Sequence, residues 1–187
     1  MKSIHLDGST LSVARSSLLI VDMQERLMPA MHGADAQCRK VEVLARAAAL
    51  LSVPVLATEH WPEKIGHTVP ALRALIGQSY SKTHFDASRE AAFISTLPED
   101  RRQILLVGSE AHVCVLQTGL GLARAGWQPV LVADGVGSRH PEDREAGLGR
   151  WRACGLPVVT TEMVLYEWLD TPEHPAFAQI LAWVKTF

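Results

Sequence analysis

Five short runs of almost purely apolar residues, separated by longer stretches of helical patterning, constrain this chain more than any other feature. They are residues 17–22 (SLLIVD), 53–58 (VPVLAT), 103–108 (QILLVG), 129–134 (PVLVAD) and 156–160 (LPVVT). Apolar runs of about four to eight residues bounded by polar or turn residues read as buried strands. Their continuous apolar character suits strands covered on both faces, as in a parallel sheet, rather than the alternation of a one-sided sheet. A shorter sixth candidate occupies residues 79–82.

The intervening segments read as helices. Residues 35–51 are rich in Ala, Leu, Arg and Glu and place Val41, Leu44, Ala48 and Leu51 on one face. Residues 111–125 follow a strand directly and stop at Gly126, a suitable C′ glycine. Residues 141–153 open with a first-turn proline and end before Gly155, and residues 163–169 and 175–185 form shorter closing helices. Strands alternating with helices imply βαβ units with right-handed crossovers, hence an open, doubly wound α/β sheet. At 187 residues, without linker, repeat or low-complexity segment, residues 1–187 are expected to form a single domain.

Composition narrows the classes of partner. A net charge of −2 gives no reason to expect nucleic acid, and no stretch approaches the ~20 apolar residues of a membrane span. The first residues, MKSIHLDGST, lack the apolar region of a secretory leader. Three cysteines, Cys38, Cys114 and Cys154, are too few for a disulfide framework and leave at least one free thiol. A reduced, cytoplasmic protein is the expectation.

In a doubly wound sheet, ligands bind beyond the carboxyl ends of the strands, where strand order reverses. Three ionisable residues fall there: Asp22 in LLIVDMQ, Lys82 in SYSKTHFD, and Cys114 in GSEAHVCV. Each alone has an ordinary explanation: a capping aspartate, a solvated lysine, a buried cysteine. Together they make chemical sense. A helix start and a nearby lysine lower a thiol's pKa, and an aspartate can accept its proton and return it to a leaving group. Backbone amides around Val113 and Cys114, free at a helix start, are candidates to hold an oxyanion, with Glu110 bracing the turn. Gln24, His60, Trp61, Phe85 and Gln117 are candidates for the substrate pocket. His112, two residues before Cys114, is expected to point away from it.

The segments LLIVDMQ, SKTHFDAS and GSEAHVCVLQT resemble those of the isochorismatase-like cysteine hydrolases, from about Ser17 to about Thr161. That family also includes nicotinamidases, N-carbamoylsarcosine amidohydrolases and ureidoacrylate or biuret hydrolases. The string EAHVCVLQT looks most like the isochorismatase-domain-containing branch, which brings no substrate with it. The resemblance implies a three-layer α/β/α fold with a six-stranded, mostly parallel sheet. It also implies an Asp22–Lys82–Cys114 triad, a cis peptide between Ser109 and Glu110, and a homo-oligomer. Trp168, Phe177 and Trp183 on the closing helices are candidates for interface or core.

The sequence departs from the nicotinamidase pattern where an Asp-x-His pair and a later histidine bind metal. Here the stretch runs from Thr58 to His67 and offers Glu59, His60 and His67, without the Asp-x-His spacing. No metal and no cofactor are expected. Gly119-Leu-Gly-Leu lies inside a helix rather than after a strand, so it signals no dinucleotide site. Arg139 is read as a carboxylate binder or a structural ion-pair partner, and Cys38 and Cys154 as buried and inert. The expected activity is hydrolysis of a C–N bond in a small amide or ureido compound through a thioester on Cys114. Two alternatives stand beside it: vinyl-ether hydrolysis with Asp22 as the acid, and a ligand-binding or thiol-sensing protein on the same scaffold.

Overall fold

A computed structural model describes residues 10–186. Residues 1–9, which carry most of the stretch inspected for a leader, lie outside them. Six strands form the sheet: β1 (Ser16–Val21), β2 (Val55–His60), β3 (Gln78–Lys82), β4 (Gln103–Ser109), β5 (Gln128–Gly137) and β6 (Val158–Val159). Between and after them run α1 (Ala34–Leu50), α2 (Pro62–Ile65), α3 (Pro70–Arg73), α4 (Ala91–Ile94), α5 (Leu116–Arg124), α6 (Pro141–Ala153), α7 (Thr161–Leu169) and α8 (Phe177–Val184). Among the described residues no helix is long and apolar enough to cross a membrane.

The strand order is β3-β2-β1-β4-β5-β6, and every pairing is parallel. The chain winds outward from β1 through β2 to β3, then returns to β4 beside β1 and winds the other way. The reversal therefore lies between β1 and β4, and a crevice opens beyond their carboxyl ends. Asp22 follows the first of these strands, and the turn carrying Cys114 follows the second.

The unbroken apolar runs are explained by helices on both faces. Successive strand residues point to opposite sides. In β1, Leu18 and Ile20 join a core with α1, α7 and α8, including Val41, Leu44, Val164 and Trp168. Leu19 and Val21 join a second core with α5 and α6, including Leu122, Leu148 and Trp151. Each such aliphatic side chain contributes about 1.5–3 kcal/mol on full burial. Trp168 is thus core, and Phe177 and Trp183 pack against the same cluster.

Three segments differ from the sequence expectation, each for a local reason. β6 shrinks to two residues because Pro157 has no N–H for the ladder, while Thr160 caps α7 by accepting from the Met163 N–H at 3.3 Å. β5 runs on to Gly137, with an irregularity in its pairing to β4 between Leu106 and Gly108. The segment 111–125 is not one α-helix: Ala111–Val115 form a wide π turn, and α5 starts only at Leu116. Gly119 lets α5 approach α6, since a Cβ there would sit 2.1 Å from the Trp151 ring.

Candidate active site

Asp22 leaves β1 with φ of +50°, a left-handed conformation that aspartate tolerates better than most residues. Its N–H donates to the Thr58 carbonyl at 3.0 Å, and its Oδ1 accepts from Thr58 Oγ1 at 2.8 Å. The register pairing Val21 with Thr58 sets this threonine on the neighbouring strand beside Asp22. The other carboxylate oxygen, Oδ2, lies 2.7 Å from Lys82 Nζ, with both side chains almost wholly out of water. Lys82 Nζ also donates to the His84 carbonyl at 3.2 Å.

Cys114 sits in the π turn after β4, buried, with its thiol close enough to Asp22 and Lys82 to feel both charges. Burial pushes the thiol up to about 12; the Asp22 charge adds to that, and Lys82 opposes it. The sequence expectation of a lowered thiol is therefore corrected. Lys82 acts in the expected direction, but desolvation outweighs it. At neutral pH the sulfur therefore holds its proton, beside the Asp22 carboxylate.

The peptide between Ser109 and Glu110 is cis. The Val113 N–H, expected to be free, donates to the Glu110 carbonyl at 3.1 Å, and the Val115 N–H shares that carbonyl at 3.2 Å. Val113 is thus spent within the turn. The Glu110 side chain reaches outward, with Oε1 2.9 Å from Arg139 Nε and Oε2 3.6 Å from His112 Nε2. His112 turns away from the thiol toward Ser138, with Nδ1 and Oγ 3.0 Å apart.

Gln24 does not face the pocket. It is fully buried, and all its hydrogen-bonding groups are engaged: Oε1 accepts from the His60 N–H at 2.8 Å, while Nε2 donates to the carbonyls of His60 at 3.0 Å and Gly66 at 2.6 Å. Its role is to clasp the end of β2 to the following loop. His60 is half-buried, its ring stacked on Phe85 with centroids 5.3 Å apart, and Trp61 stands edge-on to it at 6.4 Å. Phe85 and Trp61 are 49% and 40% exposed, so this aromatic group forms an open wall. A cleft of about 230 Å³ runs past Trp61 and Lys82. Larger clefts of about 630 and 400 Å³, beside Met163 and Tyr166 and between α1 and α6, include none of the three converging residues. Gln117 lies exposed on the first turn of α5 and joins none of these contacts.

The histidine-rich loop does not fit a metal. Glu59 is occupied: Oε1 accepts from the Thr68 N–H and hydroxyl at 2.7 and 2.8 Å, and Oε2 lies 2.9 Å from His67 Nδ1. Burial raises this carboxyl, but the hydrogen bonds from Thr68 and His67 prevail and hold it below its usual range. Among the described residues no three His, Cys, Asp or Glu side chains cluster as ligands would.

Three contributors escaped the sequence reading. Thr58 is one. Gln37, on α1, donates through Nε2 to the Gly108 carbonyl at 2.9 Å, the Gly135 carbonyl at 3.2 Å and Ser109 Oγ at 3.3 Å, tying the helix to the strand ends before the turn that carries Cys114. Thr118 Oγ1 donates to the Phe85 carbonyl at 3.3 Å and accepts from the Ala87 N–H at 3.0 Å, fixing the aromatic wall. None has a local signal, because each is defined by a neighbour distant in sequence.

The isochorismatase domain family matches residues 16–163. Isochorismatase domain-containing protein 2 of Danio rerio is 34% identical over 171 residues, covering 91% of this chain and 87% of its own. Among solved structures, the MAR1 ribonuclease of Caenorhabditis elegans superposes with a TM-score of 0.89 at 29% identity, covering 95% of this chain and 93% of its own. The YcaC gene product of Escherichia coli, an octameric hydrolase of unknown specificity, superposes with a TM-score of 0.82 at 19% identity over 95% of this chain and 97% of its own.

Proposed function

The chain belongs to the isochorismatase family, and we propose that within this hydrolase fold it cleaves the C–N bond of a small amide or ureido compound through a thioester on Cys114. The observation that carries this reading is the convergence of three groups from separate strand ends. Asp22 and Lys82 form a buried pair 2.7 Å apart, and the buried Cys114 thiol lies within the influence of both.

With the resting thiol near 12, free thiolate is roughly one part in 10⁵ at neutral pH. Attack therefore proceeds with proton transfer. Asp22 takes the Cys114 proton as the sulfur bonds to the substrate carbonyl, and the carbonyl electrons move to oxygen. Lys82 stays within reach of both the sulfur and the carboxylate and offsets the negative charge as it shifts between them. With the Val113 amide spent, the oxyanion faces the backbone N–H of Cys114 itself. Asp22 then gives its proton to the departing amine as the C–N bond breaks. Water, deprotonated by the same Asp22, adds to the thioester and releases the acid, returning the thiol.

His60, Trp61 and Phe85 wall the substrate site in this reading. No cofactor enters the scheme, residues 1–187 act as one domain in the cytoplasm, and a homo-oligomer is the working assembly. The activity named for the nematode relative belongs to that protein. In this chain Lys82 and Arg139 are paired with Asp22 and Glu110, and Lys64 alone lies over the Trp61 ring, a charge supply that favours a small substrate over a polyanion.

A screen of small amides and ureido compounds with wild type and Cys114→Ala tests the proposal. Turnover by the wild type, with a thioester adduct on Cys114 by mass spectrometry and none in the variant, is expected. Full turnover by Cys114→Ala with loss in Asp22→Asn would instead identify acid catalysis of the vinyl-ether type.

A further inference from the structure

His60 is held more firmly than a pocket wall requires. Gln24 grips its backbone N–H and carbonyl together, at 2.8 and 3.0 Å, and its register partner on β3 is Lys82. Its ring lies nearly parallel to Phe85, at 27°. Within that stack Nδ1 is buried and has no hydrogen-bond partner. A buried N–H without an acceptor is rarer in proteins than an under-satisfied acceptor, so the ring proton belongs on Nε2. Burial, and then Lys82, pull the imidazole below its ordinary range against the opposing pull of Asp22, so the ring is neutral at physiological pH. The stack thus presents a single N–H in a fixed direction, and it carries no charge. Beside it the charges of Lys82 and Asp22 already cancel, and Lys64 Nζ lies over the outer Trp61 ring, 3.7 Å from its centroid. A substrate carboxylate brought against the His60 ring would lose hydration beside a pair that is already neutralised.

We propose that His60 Nε2–H is the specificity-determining donor of this site, recognising the oxygen of an uncharged planar carboxamide or ureide and favouring it over the corresponding carboxylate. The inference rests on the reading of Cys114 as the nucleophile.

Two thiol reagents of nearly equal size, iodoacetamide and iodoacetate, test it on the full chain at neutral pH. In either reaction the Cys114 proton passes to Asp22, a bond forms between sulfur and the reagent methylene, and the carbon–iodine bond breaks to release iodide. Peptide mass spectrometry follows Cys114, with the exposed thiol of Cys154 as reference within the same chain. The expected result is labelling of Cys114 by iodoacetamide with a rate that saturates. Its preference for the amide over the acid should exceed that of Cys154 by roughly tenfold, the worth of about one hydrogen bond. His60→Phe, which keeps the stack and loses the donor, is expected to raise the half-saturating concentration roughly tenfold, the effect falling there rather than on the limiting rate. His60→Gln restores an N–H at similar reach and is expected to recover most of the loss. Both variants keep the Gln24 clasp, which is made to backbone atoms. A linear concentration dependence in the wild type overturns the proposal. So does equal half-saturation in His60→Phe, or the same amide-to-acid ratio at both cysteines. Absence of any label on Cys114 from either reagent overturns the nucleophile reading itself, and the inference with it.

Discussion

Lys82 Nζ stands 2.7 Å from Asp22 Oδ2, with side-chain exposures of 1% and 0%. Two opposite charges this deep are worth little as a pair compared with an apolar replacement, but removing one strands the other in a medium that cannot solvate it. The pair is therefore both the base of the proposed chemistry and a structural liability, and the two roles separate by mutation.

Asp22→Asn and Lys82→Met are each expected to lower stability by about 3–5 kcal/mol in urea unfolding, because each leaves a buried charge alone. The double variant Asp22→Asn/Lys82→Met should recover much of that loss. Its turnover should stay at least about 10²–10⁴-fold below wild type, since no group remains to move the thiol proton. Recovery of turnover along with stability would count against Asp22 as the base.

Cys114 makes stability fall in alkali. Its folded value, about 12, lies above the ordinary thiol value of 9.0, so the folded state holds the proton more tightly than the unfolded chain does. The resulting stability is fully present below about pH 9 and is lost as pH rises through the window toward 12, at up to about 1.4 kcal/mol per pH unit. Cys114→Ala should flatten that slope in denaturant titrations between pH 9 and 11. An unchanged slope would mean the thiol ionises near its ordinary value.

Gly108 is the tightest point of the sheet beneath the site. Its φ is +120°, and a Cβ there would lie 2.0 Å from the Val21 carbonyl oxygen, immediately before Asp22. Relief would require β1 and β4 to part at the reversal of strand order. Gly108→Ala is expected to cost more than about 4 kcal/mol, the range reserved for backbone clashes and strain in a core. Thermal unfolding or soluble yield reads this directly, and a near-native Tm would refute it.

What the sequence disclosed was what local patterns encode. Apolar runs locate five strands, their last residues locate Asp22, and the helix signal after β4 locates Cys114. Depth and register are not local. Thr58 looks like any β-branched strand former until β1 and β2 are aligned and its hydroxyl meets Asp22. Gln24, two residues beyond a strand end, reads as a pocket residue, yet it is buried and fully bonded. The direction of the Cys114 shift is not legible in the sequence, because desolvation depends on packing from both sides of the turn, while the lysine and the helix start are visible in one dimension. The Val113 amide reads as free from sequence because the π turn that consumes it has no distinct sequence signature.

The Gln24 clasp offers the last test, one in which shape and chemistry come apart. Gln24→Glu is almost isosteric. Its carboxylate still accepts from the His60 N–H, but it sets a second charged oxygen against the His60 and Gly66 carbonyls, to which Nε2 donated at 3.0 and 2.6 Å. The ionised variant should be less stable than wild type by about 2–4 kcal/mol, the range for two lost bonds with buried acceptors left unmatched. Protonation restores one donor, so the carboxyl is expected to titrate above the unfolded value of about 4.3. A raised folded pKa gives stability that is present at low pH and lost as pH rises through it. Gln24→Glu should therefore recover part of its deficit on acidification from pH 7 toward 5, where Gln24→Leu, lacking a titratable group, should not. Parallel pH profiles for the two variants would show that Gln24 acts only by filling space.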